Sequence, residues 1–205
     1  MRHLRTELRQ RAEELVGLYP QRRSAMLPLL HLVQEQDGYL TPEGIAEVAE
    51  LTGTSEADVR GTASFYDMFH LEPVGRYVVG VCTNIACLLA GGEDLLAHAS
   101  ARLDCAVGSI TDDGLFTLEE TECLADCDRA PVVQVNHRYV RTTTPELFDA
   151  LIEDLRAGRR DHEVPPHGTL IRVRRAGGLH AEHEEIVSQR AASRAARDER
   201  AKESQ

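Results

Sequence analysis

Four of the five cysteines fall into two close pairs: Cys82 and Cys87 in a C-x4-C spacing, Cys123 and Cys127 in a C-x3-C spacing. Two pairs of thiolates can fill four coordination positions, and three chemistries compete for them. A [2Fe–2S] rhomb asks for two thiolates at each iron, which two pairs supply. A structural zinc ion takes four thiolates, although its usual C-x2-C knuckles are absent here. A thiol–disulfide couple usually shows C-x-x-C, again absent. The plant-type ferredoxin spacing C-x4-C-x2-C is also missing, because Ala90 occupies the third position. Spacing alone favours a cluster and leaves zinc and thiol redox open. Cys105 has no close partner and reads as a small buried apolar side chain near Leu103 and Val107. No G-x-G-x-x-G, Walker A, G-x-S-x-G or H-E-x-x-H occurs, so the chain carries no nucleotide fingerprint of its own. His31, among apolar residues, reads as a packed, hydrogen-bonded side chain, and His180 and His183 as a chance H-x-x-H in a polar segment.

The elements that must position these thiols alternate in the second half of the chain. Tyr77 to Val81 is a short apolar run that reads as a buried strand, and it ends at Cys82. Leu88, Leu95, Leu96, Ala99 and Leu103 mark a helix. Asp112-Asp113-Gly114 is a turn signal before a strand at Leu115 to Leu118. Val132 to Val135 is another strand, and Asn136-His137-Arg138 turns it into Tyr139-Val140. Thr144-Pro145-Glu146 starts the last helix, with Leu147, Phe148, Leu151, Ile152 and Leu155 on its apolar side. The order β-α-β-β-β-α suits a sheet of about four strands with helices against it. Both cysteine pairs then lie on strand-end loops, where functional residues tend to be presented.

The first half reads as short helices. Leu8, Ala12, Leu15, Val16 and Tyr19 form one stripe, and Met26, Leu29, Leu30 and Val33 a second, which Asp37-Gly38 ends. Thr41-Pro42-Glu43 opens a third helix with Ile45, Val48 and Ala49 inside. Ser55-Glu56-Ala57-Asp58 resembles a capping box and opens a fourth, running to about Tyr66. The fold class expected is α+β: an N-terminal helical bundle over residues 1–73, a sheet domain over 74–157, and a basic tail over 158–205, whose end from Arg190 to Arg197 lacks large apolar residues and which is expected to be mostly disordered.

Charge limits the partners. Residues 25–155 hold six Arg against 23 acids, and the whole chain carries a net −11. That balance opposes nucleic-acid binding, which needs a basic face. No run approaches a membrane span, and the first residues have no apolar h-region. A reducing, cytoplasmic location without direct membrane insertion is expected.

At the cysteines the chain resembles a known family. Val81-Cys82-Thr83-Asn84-Ile85-Ala86-Cys87 looks like the first cluster motif of the thioredoxin-like [2Fe–2S] ferredoxin family of NADH-quinone oxidoreductase subunits, those of respiratory complex I. Glu122-Cys123-Leu124-Ala125-Asp126-Cys127, with Ala130 to Asn136 after it, looks like the second. Gly61-Thr62-Ala63-Ser64-Phe65-Tyr66 and the helices before it also match, so the likeness covers about residues 10–156. The resemblance implies a thioredoxin-like domain with one [2Fe–2S] cluster on Cys82, Cys87, Cys123 and Cys127. It implies FMN and NADH on a neighbouring partner subunit, further iron–sulfur subunits, and a place at the inner face of the plasma membrane reached through those partners. The same motifs would serve in a soluble NAD-dependent hydrogenase or formate dehydrogenase. Asp126 stands where the family often has a small residue, and an acid there would lower a cluster's potential, with Arg129 opposing. Thioredoxin-like folds often place a cis proline where Pro131 stands, so both isomers are open at that bond.

Overall fold

The protein was analysed as a computed structural model, which describes residues 3–141 and 144–169. Four helices come first: α1 (Thr6–Gly17), α2 (Met26–Asp37), α3 (Pro42–Thr52) and α4 (Glu56–Phe65). The signals read from sequence set their ends. Thr41 accepts from the Gly44 N–H at 3.1 Å with Pro42 at the first helical position, and Ser55 with Asp58 closes a reciprocal capping box. Gly38 and Gly53 take the left-handed conformation that ends α2 and α3. Leu29, Leu30, Val33, Val48, Val59 and Ala63 meet in one hydrophobic cluster. His31 packs its ring on Phe69 with centroids 4.7 Å apart. Tyr19, counted in the first stripe, lies beyond the end of α1 and is exposed.

One buried acid ties this half together. Glu47 on α3 accepts from the Leu4 N–H at 2.6 Å, from the His3 N–H at 2.7 Å, and from the Arg9 guanidinium. Burial opposes its ionisation, but these three donors outweigh that and hold the carboxyl below its usual range.

A four-stranded sheet follows, built from β1 (Tyr77–Cys82), β2 (Phe116–Thr121), β3 (Val133–Val135) and β4 (Arg138–Val140) in the order β2-β1-β3-β4. β1 pairs parallel with β2 and antiparallel with β3, which pairs antiparallel with β4. The parallel pair needs a crossover, supplied by α5 (Ile85–Leu89) and α6 (Gly92–Leu103). Strand alternation sends Tyr77, Val79 and Val81 into the core shared with Leu95, Ala99 and Leu103 of α6 and with Phe148, Leu151, Ile152 and Leu155 of α7 (Pro145–Arg156). Cys82, on the opposite parity, leaves that core. β3 and β4 join through a two-residue turn with both Asn136 and His137 left-handed (φ 49° and 61°), the type I′ geometry of tight hairpins.

Two sequence expectations need correction. The single helix expected from Leu88 to Leu103 is broken in two at Gly91, whose φ of +89° no helix accepts. The break lets Gly92 sit against the Cys82 and Cys87 carbonyl oxygens, where a Cβ would come within 2.8 Å of both. The tail boundary at 158 also comes too early. Gly158 (φ +67°) turns the chain back after α7, and Val164 is buried in the sheet core. Asp161 accepts from the Tyr77 hydroxyl at 2.5 Å and from Arg76 at 2.8 Å, and the Pro165 carbonyl accepts from the Asn136 amide. The packing therefore runs on to Thr169. His180, His183 and the remainder of the expected basic tail lie outside the described residues.

This strap brings His167 onto His70, rings 4.8 Å apart and nearly perpendicular at 78°. Among the described residues, neither His167 ring nitrogen has a hydrogen-bond partner. Burial first, then the nearby His70 and His137, push its pKa down to about 4.

Candidate functional site

The four paired cysteines come together at the end of β1. Cys82 is its last residue, and the chain then turns through Thr83 and Asn84 into α5, which carries Cys87. Asn84 caps α5, its side-chain oxygen accepting from the Ile85 N–H at 2.9 Å. The second loop leaves the same end of the sheet, because β1 and β2 run parallel with Cys82 paired to Thr121. Cys123 lies two residues beyond Thr121, and Cys127 opens a short 3₁₀ turn (Cys127–Arg129). Ala125, between them, is held at φ +59°, a left-handed conformation rare for a residue with a Cβ.

The two pairs differ in exposure. Cys82 and Cys87 are each 2% exposed and pack with Val132, while Cys123 and Cys127 lie open on the surface. Val132 knits the inner pair to the second loop: its carbonyl accepts from the Cys82 N–H at 2.9 Å, and its backbone hydrogen-bonds the Cys87 sulfur. It follows Pro131, whose bond from Ala130 is cis.

The thiols act on one another. Burial pushes the Cys87 thiol up, the Val132 backbone opposes, and Cys82 and Cys127 push it further. Cys127 is also raised, by residual desolvation first and then by Cys123 and Cys82. Four thiols whose ionised forms repel one another suit a cationic centre that neutralises them together. Among the described residues, no three His, Cys, Asp or Glu side chains are grouped to hold a single metal ion. The thiols in hydrogen-bonding contact are Cys82 with Cys87 and Cys123 with Cys127, and a two-iron rhomb takes two thiolates at each of two points. The donor set therefore fits a [2Fe–2S] cluster.

Cys105 stands apart, half-buried under α6 and the β2 side of the sheet, with its thiol raised chiefly by burial. Read from sequence as a buried side chain near Leu103 and Val107, it is only half-buried, and Val107 is exposed. Sequence reasoning missed the polar links between the loops. Thr83 donates to Glu120 at 2.5 Å, and Asn84 donates to Glu122 at 3.1 Å. Their only sequence signal is that two polar residues follow Cys82 and two acids precede Cys123. Arg129 lies 3.6 Å from Asp126, so the base and acid weighed against each other from sequence are neighbours. Ile85 and Leu89 stand exposed beside the inner pair. Among the described residues no helix is long and apolar enough to cross a membrane.

Comparison with known proteins matches residues 12–156 to the family model "Thioredoxin-like [2Fe-2S] ferredoxin". An NADH-quinone oxidoreductase subunit of Mycobacterium tuberculosis is 46% identical over 146 residues, which are 71% of this chain and 58% of that protein. The chain thus spans somewhat over half the length of that relative. NADH-quinone oxidoreductase subunit 2 of Thermus thermophilus is 43% identical over 155 residues, covering 74% of this chain and 86% of its own. Among solved structures, an NAD+-reducing [NiFe]-hydrogenase in the air-oxidised state superposes with a TM-score of 0.57 and 28% identity, over 65% of this chain and 23% of that one.

Proposed function

The chain belongs to the thioredoxin-like [2Fe–2S] ferredoxin family, and from that premise we propose that it is an electron-transfer subunit of an NADH-quinone oxidoreductase, with one [2Fe–2S] cluster on Cys82, Cys87, Cys123 and Cys127. The observation that carries the reading is the convergence of two thiol pairs at the ends of the parallel strands β1 and β2. A bound cluster supplies one-electron chemistry. The residues of this chain supply its ligands, a buried wall of Val132 behind the inner pair, and acidic side chains around the outer one. None of them is assigned proton transfer.

NADH gives up two electrons as a hydride, so oxidising it needs a flavin able to split the pair, and this chain has no nucleotide fingerprint. The flavin and NADH site is accordingly assigned to a partner subunit, and the isolated chain is not expected to oxidise NADH. Assembly with such partners would hold the chain at the inner face of the plasma membrane. A second assembly is favoured by one observation, the likeness to the NAD+-reducing hydrogenase. Co-purification with quinone-reducing membrane subunits supports the first assembly, and co-purification with a hydrogenase subunit supports the second.

The test is a visible and EPR spectrum of the anaerobically purified chain, with iron, sulfide and zinc assayed on the same sample. Two irons and two sulfides per chain, with an EPR signal that appears only on reduction, are expected. Cys123→Ser is expected to lose or distort the spectrum and Cys105→Ser to leave it intact. A colourless protein holding one zinc after cluster reconstitution would replace the electron carrier with a structural zinc module.

A further inference from the structure

The two cysteine loops diverge where the β1/β2 ladder stops. The last ladder contact is the Thr83 N–H on the Thr121 carbonyl at 3.4 Å. Beyond it one chain climbs into α5 and the other crosses to Cys127. At this fork two hydrogen bonds join side chain to side chain across the loops, Thr83 to Glu120 and Asn84 to Glu122, beside the Val132 backbone on the Cys87 sulfur. Within β2, Glu120 and Thr121 alternate in facing, with the Thr121 Cγ2 against Gly80. Thr83 and Asn84 directly follow Cys82, and Glu122 directly precedes Cys123. A shift at either staple therefore moves a thiol.

We propose that Glu120 and Glu122 are positioning residues that staple the two ligand loops through Thr83 and Asn84, and that their charges also hold the potential of the site low. This rests on the cluster assignment above. A site gains precision when neighbouring hydrogen bonds fix its ligands. Asn84 does this twice, capping α5 with its oxygen while donating from its amide nitrogen. Negative charge near the site disfavours adding an electron, so the same carboxylates lower the potential. The two roles separate by substitution. Glutamine keeps the acceptor oxygen and loses the charge. Thr83→Val keeps the Glu120 charge and removes the donor.

The experiment uses the full cluster-loaded chain and reads midpoint potential by EPR redox titration and iron loss to a ferrous chelator. The double variant Glu120→Gln/Glu122→Gln is expected to raise the potential and leave iron loss close to wild type. Thr83→Val is expected to speed iron loss about tenfold, the low end for one hydrogen bond to a charged group, with the potential unmoved. Glu120→Ala/Glu122→Ala is expected to do both. Unchanged iron loss in Thr83→Val and in the double alanine variant would overturn the staple, and an unmoved potential in the glutamine pair would overturn the charge role. Hydrogen exchange on the cluster-free chain makes failure of the staple distinguishable from failure of the cluster assignment. The double alanine variant is expected to speed exchange at the Ile85 and Cys87 amides, and no change there would overturn the staple whether or not iron binds.

Discussion

Ala125 carries the local cost of the outer thiol pair. Its φ of +59° puts a Cβ where only glycine sits freely. The left-handed region costs a residue with a Cβ roughly 1–2 kcal/mol, and glycine's extra chain entropy offsets roughly 0.5–1 of that. Ala125→Gly is therefore expected to raise stability by roughly 0.5 kcal/mol, and Ala125→Val, with a branched Cβ, to lower it. Urea unfolding followed by far-UV circular dichroism reads both. A lower midpoint for the glycine variant would mean that the loop does not hold this turn in solution. Nothing in Leu124-Ala125-Asp126 announces a left-handed residue, so this feature was not legible in the sequence. The four paired cysteines were, because spacing alone set them apart from Cys105. The staples on Glu120 and Glu122 were not, since an exposed acid is ordinary surface until its partner across the fork is known.

At the scale of elements, legibility followed local chemistry. Thr41, Ser55 and Thr144 each sit at the cap that sequence assigned them, because a side chain bonding three residues along needs no distant partner. The hairpin at Asn136-His137 was legible for the same reason. The break at Gly91 was not, because its cause is distant: Gly92 must close on the carbonyls of Cys82 and Cys87. The strap after α7 was missed because Val164 is its one deeply buried apolar side chain, and its other attachments are hydrogen bonds to Arg76, Tyr77 and Asn136 and the His167 ring on His70. A valine buried in the core contributes about 2 kcal/mol. A chain ending at Ala157 is thus expected to melt roughly 5 °C below one ending at Thr169. Differential scanning calorimetry on the two truncations checks this, and equal melting temperatures would place Val164 outside the core.

Over the whole molecule, acid should loosen the meeting of strap, sheet and helices. His167 faces His70, from the segment after α4, and feels His137 on the hairpin. Glu119 on β2 stands 3.6 Å from His70, with Asp67 close enough to act on Glu119, His70 and His137. Burial lowers all three histidines. A histidine with a lowered folded pKa is bound more readily by protons in the unfolded chain. Its contribution is complete above about pH 6.5 and is lost as pH falls toward 4, at up to about 1.4 kcal/mol per unit. Glu119, raised chiefly by burial, works the other way, since its ionisation strains the fold at neutral pH and protonation relieves it. With these three histidines, and His31 lowered likewise by burial and by His137, against one acid, the urea midpoint is expected to fall between pH 6.5 and 4, and less steeply in His167→Phe, which keeps a ring against His70. Parallel curves for the two proteins would remove His167 from this linkage.

The unequal burial of the four thiols also has a meaning in time. Cys82 and Cys87 are enclosed by the same packing that completes the sheet, so a newly made chain seals this half as it folds. Cys123 and Cys127 stay open to whatever arrives. Loading and damage must then share one entrance, with donors, chelators and oxidants all meeting the outer pair first. If a partner docked over this rim it would close that entrance, and a cluster would then have to be in place before the partner arrived.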